Sequence, residues 1–165
     1  MKVYPLAALL KLRIFRQDKA MHGLQKCERE LASARKGVKT AVQTHMDFMV
    51  WLEKEEERRY ESIMGRDMTI DEVDDFKAGL LAARSQESMY LENILKAKNR
   101  VQICEENVTA AKAALLAAQK ATMKIEVHRE RWLEEVKKEE LLTEERELED
   151  FSPLKLDLFD EGLAA

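Results

Sequence analysis

Proline is nearly absent from this chain: of 165 residues only Pro5 and Pro153 are proline. The stretch between them therefore lacks the residue that most strongly breaks a helix interior, by removing a backbone donor and clashing with the preceding turn. Glycine is scarce too, and Gly65 stands inside the one interruption of the pattern, Met64-Gly65-Arg66-Asp67-Met68. Glycine is the usual residue just past a helix end, so the interruption reads as a turn. Aromatic residues make up only 6% and charged residues 36%, which is the composition of long helices rather than of a globular domain. No apolar run approaches the ~20 residues that span a bilayer, so direct membrane insertion is not expected. The apolar opening around Leu6 to Leu10 is soon followed by Lys11, Arg13 and Arg16 and has no small-residue cleavage site, which argues against a secretory leader.

Two cysteines without metal-ligand spacing fit a reducing compartment and a cytoplasmic protein. A net charge of -4 does not favour a nucleic-acid surface. Phosphate-binding glycine loops, a nucleophile elbow and the HExxH arrangement are all missing; His22, His45 and His128 are isolated. The glutamate-rich runs interleave with lysine and arginine at helical spacing and read as solvated faces. Neither an enzyme, nor a cofactor, nor a metal site is expected.

What is present is a seven-residue repeat. Steps of three and four pick out Ala20, Leu24, Cys27, Leu31, Ala34, Val38, Ala41, His45, Phe48 and Leu52 before the turn. After it they pick out Val73, Phe76, Leu80, Ala83, Glu87, Tyr90, Ile94, Ala97, Val101, Cys104, Val108, Ala111, Leu115, Ala118, Thr122, Ile125, Arg129, Trp132 and Val136. A period of 3.5 residues held this long implies a supercoiled helix pair. The expected fold is all-α: a long two-helix antiparallel coiled-coil hairpin over residues 1–151. Helix 1 covers about 5–64, the turn 65–68, and helix 2 about 69–150, followed by a flexible tail, 152–165. Thr69 and Glu72 form a capping box at the start of helix 2, with Met68 and Val73 placed as a hydrophobic staple.

Folding at the turn pairs residues whose numbers sum to about 131 or 132. The two polar members of the seam, His45 and Glu87, then fall opposite each other as a register pair, since one unpaired polar residue in an apolar seam is costly. Cys27 and Cys104 also face each other, more simply as two small buried thiols than as a disulfide. Helix 1 begins too late to cover residues beyond about Ile125, so His128 to Asp150 should project as a single helix. Apolar residues without cover from the partner helix mark candidate partner surfaces: Leu6, Leu9, Leu10, Leu12, Ile14 and Phe15 around helix 1 and Trp132, Leu133 and Val136 on the overhang at the termini end, and Met49 and Trp51 flanking the seam at the turn end.

Tyr4-Pro5-Leu6, Leu9-Leu10, Leu12-Arg13, then Arg16, Asp18 and Ala20, resemble the opening of the YscO-like (SctO) proteins of type III secretion systems, relatives of the flagellar export protein FliJ. The run His128-Arg129-Glu130-Arg131-Trp132-Leu133-Glu134-Glu135-Val136-Lys137-Lys138-Glu139-Glu140, with its acidic continuation, resembles their end. The resemblance implies a cytoplasmic stalk, peripheral to the inner-membrane secretion apparatus. Its implied partners are the hexameric type III secretion ATPase, the export gate protein and secretion chaperones. By analogy with rotary shafts, Leu6, Leu9, Leu12, Arg13, Arg16, Trp132 and Val136 would meet the ATPase, and the turn end with Met49 and Trp51 the gate or other partners. The alternatives are an adaptor or chaperone escort of the same system, and a purely structural coiled coil.

Overall fold

The computed structural model describes residues 2–160, with side chains described to Phe151. It is an all-α antiparallel hairpin of three helices in chain order, α1 (Ala7–Ile63), α2 (Ile70–Ser85) and α3 (Glu87–Asp160). Gly65, at φ 74°, takes the left-handed conformation that ends α1. Thr69 caps α2: its backbone N–H donates to Glu72 Oε2 at 2.8 Å, and its hydroxyl accepts from the Glu72 N–H at 3.3 Å. Both members of the capping box are thus formed.

The second long helix, expected to be continuous, is divided at Gln86. The serines on either side account for this. In an unbroken helix Ala82 and Ser85 carbonyls would accept from the Gln86 and Met89 amides. Instead the Ser85 hydroxyl donates to Ala82 O at 2.7 Å and the Ser88 hydroxyl to Ser85 O at 2.8 Å. The two amides turn to the nearer carbonyls of Ala83 and Gln86, at 3.3 and 3.1 Å. Side-chain competition of this kind tightens a helix locally towards three residues per turn. Gln86 itself keeps right-handed helical angles, so the seam passes through the break in register.

At the other end α3 continues past its predicted stop near residue 150, through Pro153 to Asp160. Proline costs a helix one hydrogen bond and a steric contact without forbidding it, and Leu154, Lys155 and Leu156 are good helix formers. Residues 161–165 of the expected tail lie outside the described residues.

The packing divides into two units, Met21–Ala113 and Met1–Ala20 with Ala114–Ala165. In the first, α1 shields only its predicted stripe: Leu24, Cys27, Leu31, Ala34, Val38, Ala41, His45, Phe48 and Leu52 are buried or half-buried, and every other residue from 21 to 54 is exposed. Opposite it, between 88 and 113, only Tyr90, Ile94, Ala97, Val101, Cys104, Val108 and Ala111 are shielded. Phe48, Leu52 and Ala83 form its tightest cluster, with Tyr90 packed against them. Cys104 is buried and Cys27 half-buried, both as free thiols. In the second unit Leu115, Ala118, Thr122, Ile125, Trp132 and Val136 are buried or half-buried, and of the predicted positions there only Arg129 is exposed. A seam one stripe wide removes little apolar area per turn, so stability accumulates along the length rather than in a central core.

Candidate functional site: two partner-binding regions

Within the termini unit, the segment ahead of α1 reaches further than a helix would. Pro5 keeps the preceding residue out of helical conformation, and residues 2–4 run along α3. A non-helical chain covers up to ~3.3 Å per residue against 1.5 Å for a helix, so a few residues span several turns of α3. Tyr4 is buried at 7% exposure. Its hydroxyl donates to Ile125 O at 3.4 Å and lies 2.9 Å from His128 Nδ1. Its ring packs at centroid distances of 5.4 Å from Trp132 and 5.8 Å from His128. Lys2 pairs with Glu139. The expected projection from His128 is therefore corrected: Tyr4 lies against α3 at His128 and Trp132, Val136 is the last half-buried residue, and from Lys137 to Phe151 every side chain is exposed.

The termini-end candidates separate accordingly. Leu6, Leu9, Arg13, Trp132 and Val136 are half-buried, facing the interior of the hairpin, while Leu12 and Arg16 are exposed. Arg13 sits among the seam positions, and its Nε is buried without a hydrogen-bond partner. Ile14 and Phe15, expected among the apolar residues that the second helix cannot all cover, are exposed on α1, Phe15 to 64%.

In the turn unit His45 Nε2 and Glu87 Oε1 meet at 3.2 Å, where the register arithmetic places them, with side-chain exposures of 20% and 36%. Met49 and Trp51 are exposed. The Trp51 ring stacks on Phe48 at 5.7 Å, and Phe48 stacks in turn on Tyr90 at 4.4 Å. Together with Thr44, Asp47 and Gln86 these rings line an open groove beside the helix break. Ion pairs brace the helices here. Arg84 reaches across to Glu56 at 2.6 Å and Arg35 to Glu105 at 3.1 Å. Glu55 accepts from Arg58 and Arg59, which hold its carboxyl down to about 2. Arg59 in turn lies over Gly79, where an added Cβ would meet its guanidinium.

Among the described residues no group of three or more His, Cys, Asp or Glu side chains is placed to hold a metal ion, and no helix is long and apolar enough to cross a membrane.

A two-helix antiparallel coiled coil, shielded along one seam and carrying a stapled N-terminal strap, defines the class of protein. The model of the family described as type III secretion protein YscO matches residues 6–153. The chain belongs to the YscO family of type III secretion proteins. Two solved structures share its fold. The YscO homologue CT670 from Chlamydia trachomatis has a TM-score of 0.76 at 23% identity, over 98% of this chain and 99% of that one. Type III secretion protein YscO from Vibrio parahaemolyticus has a TM-score of 0.79 at 21% identity, over 88% of this chain and 92% of that one. A search of curated protein sequences gives no match.

Proposed function

We propose that this chain is the central stalk of a type III secretion apparatus, engaging the hexameric secretion ATPase with its termini end and coupling it to the export gate. The observation that carries the reading is the single-seam burial of both helices. Each gives one stripe to its neighbour and leaves the rest of its circumference free, the form a shaft inside a ring requires. An asymmetric coiled coil would favour one subunit interface of the ring at a time, a coupling free energy between sites rather than catalysis by the coiled coil itself. Leu12 and Arg16 are exposed and would touch the ring. Leu6, Leu9, Arg13, Trp132 and Val136 would shape the termini end that enters it. The protein would sit in the cytoplasm against the inner-membrane apparatus.

A second reading rests on the exposed Met49 and Trp51: a face of the turn unit that escorts secretion chaperones. ATP hydrolysis by the cognate ATPase, measured with and without this protein, separates the two. Stimulation that is lost in Arg16→Glu, retained in Trp51→Ala, and accompanied by unchanged helicity supports the stalk. No stimulation by folded wild-type protein, together with chaperone binding lost in Trp51→Ala, selects the escort.

A further inference from the structure

We propose that the exposed acidic extension of α3 docks on the basic apolar start of α1 in a second copy of this chain, each copy giving its extension to the other in a twofold dimer. From Lys137 to Phe151 no side chain of α3 is shielded. Leu141 and Leu148 lie seven residues apart on one side of this helix, 59% and 70% exposed. Glu144 and Glu145 flank that stripe by helical spacing. A helix standing free in water is marginal unless an apolar face is covered, so this stripe calls for a partner surface.

Charge names the surface. Residues 137–151 carry seven carboxylates against Lys137, Lys138 and Arg146, and from Glu139 onward Arg146 is the single cation. Residues 7–20 carry Lys11, Arg13, Arg16 and Lys19 against the single carboxylate Asp18. Lys11, Phe15 and Lys19 follow one another at intervals of four along α1, with Leu12 and Arg16 on the same side. All five are exposed, so this face has an apolar centre with cations around it, the complement of the extension. Within one chain the acidic block already takes a cation from outside α1, where Lys2 pairs with Glu139. The cations of α1 cannot follow in the same chain. α1 and α3 are antiparallel in this unit, so from Lys11 onward α1 runs back along α3, away from the extension.

A second copy resolves this. With the termini of two chains overlapping head to head, each extension runs parallel to the other copy's α1, and both complementary pairs form at once. Such a reciprocal arrangement closes on itself and leaves no further face to propagate. Two single-helix contacts of this size make a weak interface, and a charge-matched exposed one weakens with salt. Under the stalk reading, the dimer would also cover Leu12 and Arg16, so pairing and ring engagement would exclude each other; the dimer itself does not depend on that reading.

Sedimentation velocity of the full chain over a concentration series, at low and high salt, tests the proposal. Wild type is expected to pass from monomer to dimer with rising concentration and to dissociate in high salt. Glu144→Lys/Glu145→Lys and Lys11→Glu/Lys19→Glu should each weaken the dimer by about tenfold or more, with helicity by circular dichroism unchanged, on the scale of a few lost charge-assisted contacts. A wild type that stays monomeric throughout overturns the proposal. So does a dimer indifferent to both charge reversals.

Discussion

Tyr4 lies against Trp132 with ring centroids 5.4 Å apart and planes tilted by 57°, so that a residue outside any helix covers the aromatic anchor of the last long one. Burying an aromatic side chain is worth roughly 1.5–3 kcal/mol. Tyr4→Ala should therefore release the strap and expose Trp132. In a Trp51→Phe background, where Trp132 is the only indole, the emission maximum should move to longer wavelength. Tyr4→Phe, which keeps the ring and loses only the hydroxyl contacts to Ile125 and His128, should shift it little. Unchanged emission in Tyr4→Ala would show that the strap does not shield the indole.

His45 and Glu87 are predicted to behave as a pair. Replacing either by leucine leaves the other half-buried without its partner, at a cost near 1 kcal/mol, since both retain some access to water. Replacing both gives an apolar layer and should recover or exceed wild-type stability, because polar pairs in a seam serve register more than stability. Denaturant unfolding of the two single variants and the double variant forms the required cycle. Additive losses in the double variant would remove the coupling.

Ser85→Ala with Ser88→Ala frees the carbonyls of Ala82 and Ser85 for the amides of Gln86 and Met89. The helix should close across Gln86, and alanine's better propensity adds up to ~0.5 kcal/mol per site. Amide hydrogen exchange at Gln86 and Met89 is expected to slow. Exchange at the wild-type rate would place the cause of the break elsewhere.

Acid should weaken the hairpin through its depressed carboxylates. Arg58 and Arg59 hold Glu55 at about 2 against an ordinary 4.5. Arg84 lowers Glu56, the Thr69 backbone amide lowers Glu72, and Lys96 lowers Glu92. A group whose folded pKa is depressed takes up its proton first in the unfolded state. Its contribution is therefore complete above about 4.5 and disappears as pH falls through the folded value. Thermal midpoints should decline over that acid range, and Glu55→Gln should decline less steeply. Each exposed pair contributes modestly, so the effect is cumulative.

Arg13→Met should raise stability by about 1 kcal/mol, because it removes a buried Nε without a partner while keeping an unbranched stem in the seam. The thermal midpoint of this variant is the measurement, and a fall would mean that the rest of the guanidinium contributes more than the orphaned nitrogen costs.

By itself the sequence determined whatever depends on periodicity and caps. The 3.5-residue stripe names the shielded residues because in a helix spacing alone decides which side chains share a face. Thr69-Glu72 and Gly65 set the ends because their hydrogen bonds and left-handed angle are local. The meeting of His45 with Glu87 followed as well, since one turn position sets every pair in an antiparallel hairpin. Tertiary structure decided what spacing does not encode. The strap over Trp132 depends on a non-helical segment whose reach exceeds that of the helix it replaces. The break at Gln86 depends on where two serine hydroxyls turn. The division of the termini candidates into Leu12 and Arg16 outside and Arg13 and Trp132 inside depends on how a neighbouring chain segment covers a helix, and that is a property of the packed pair rather than of either stripe.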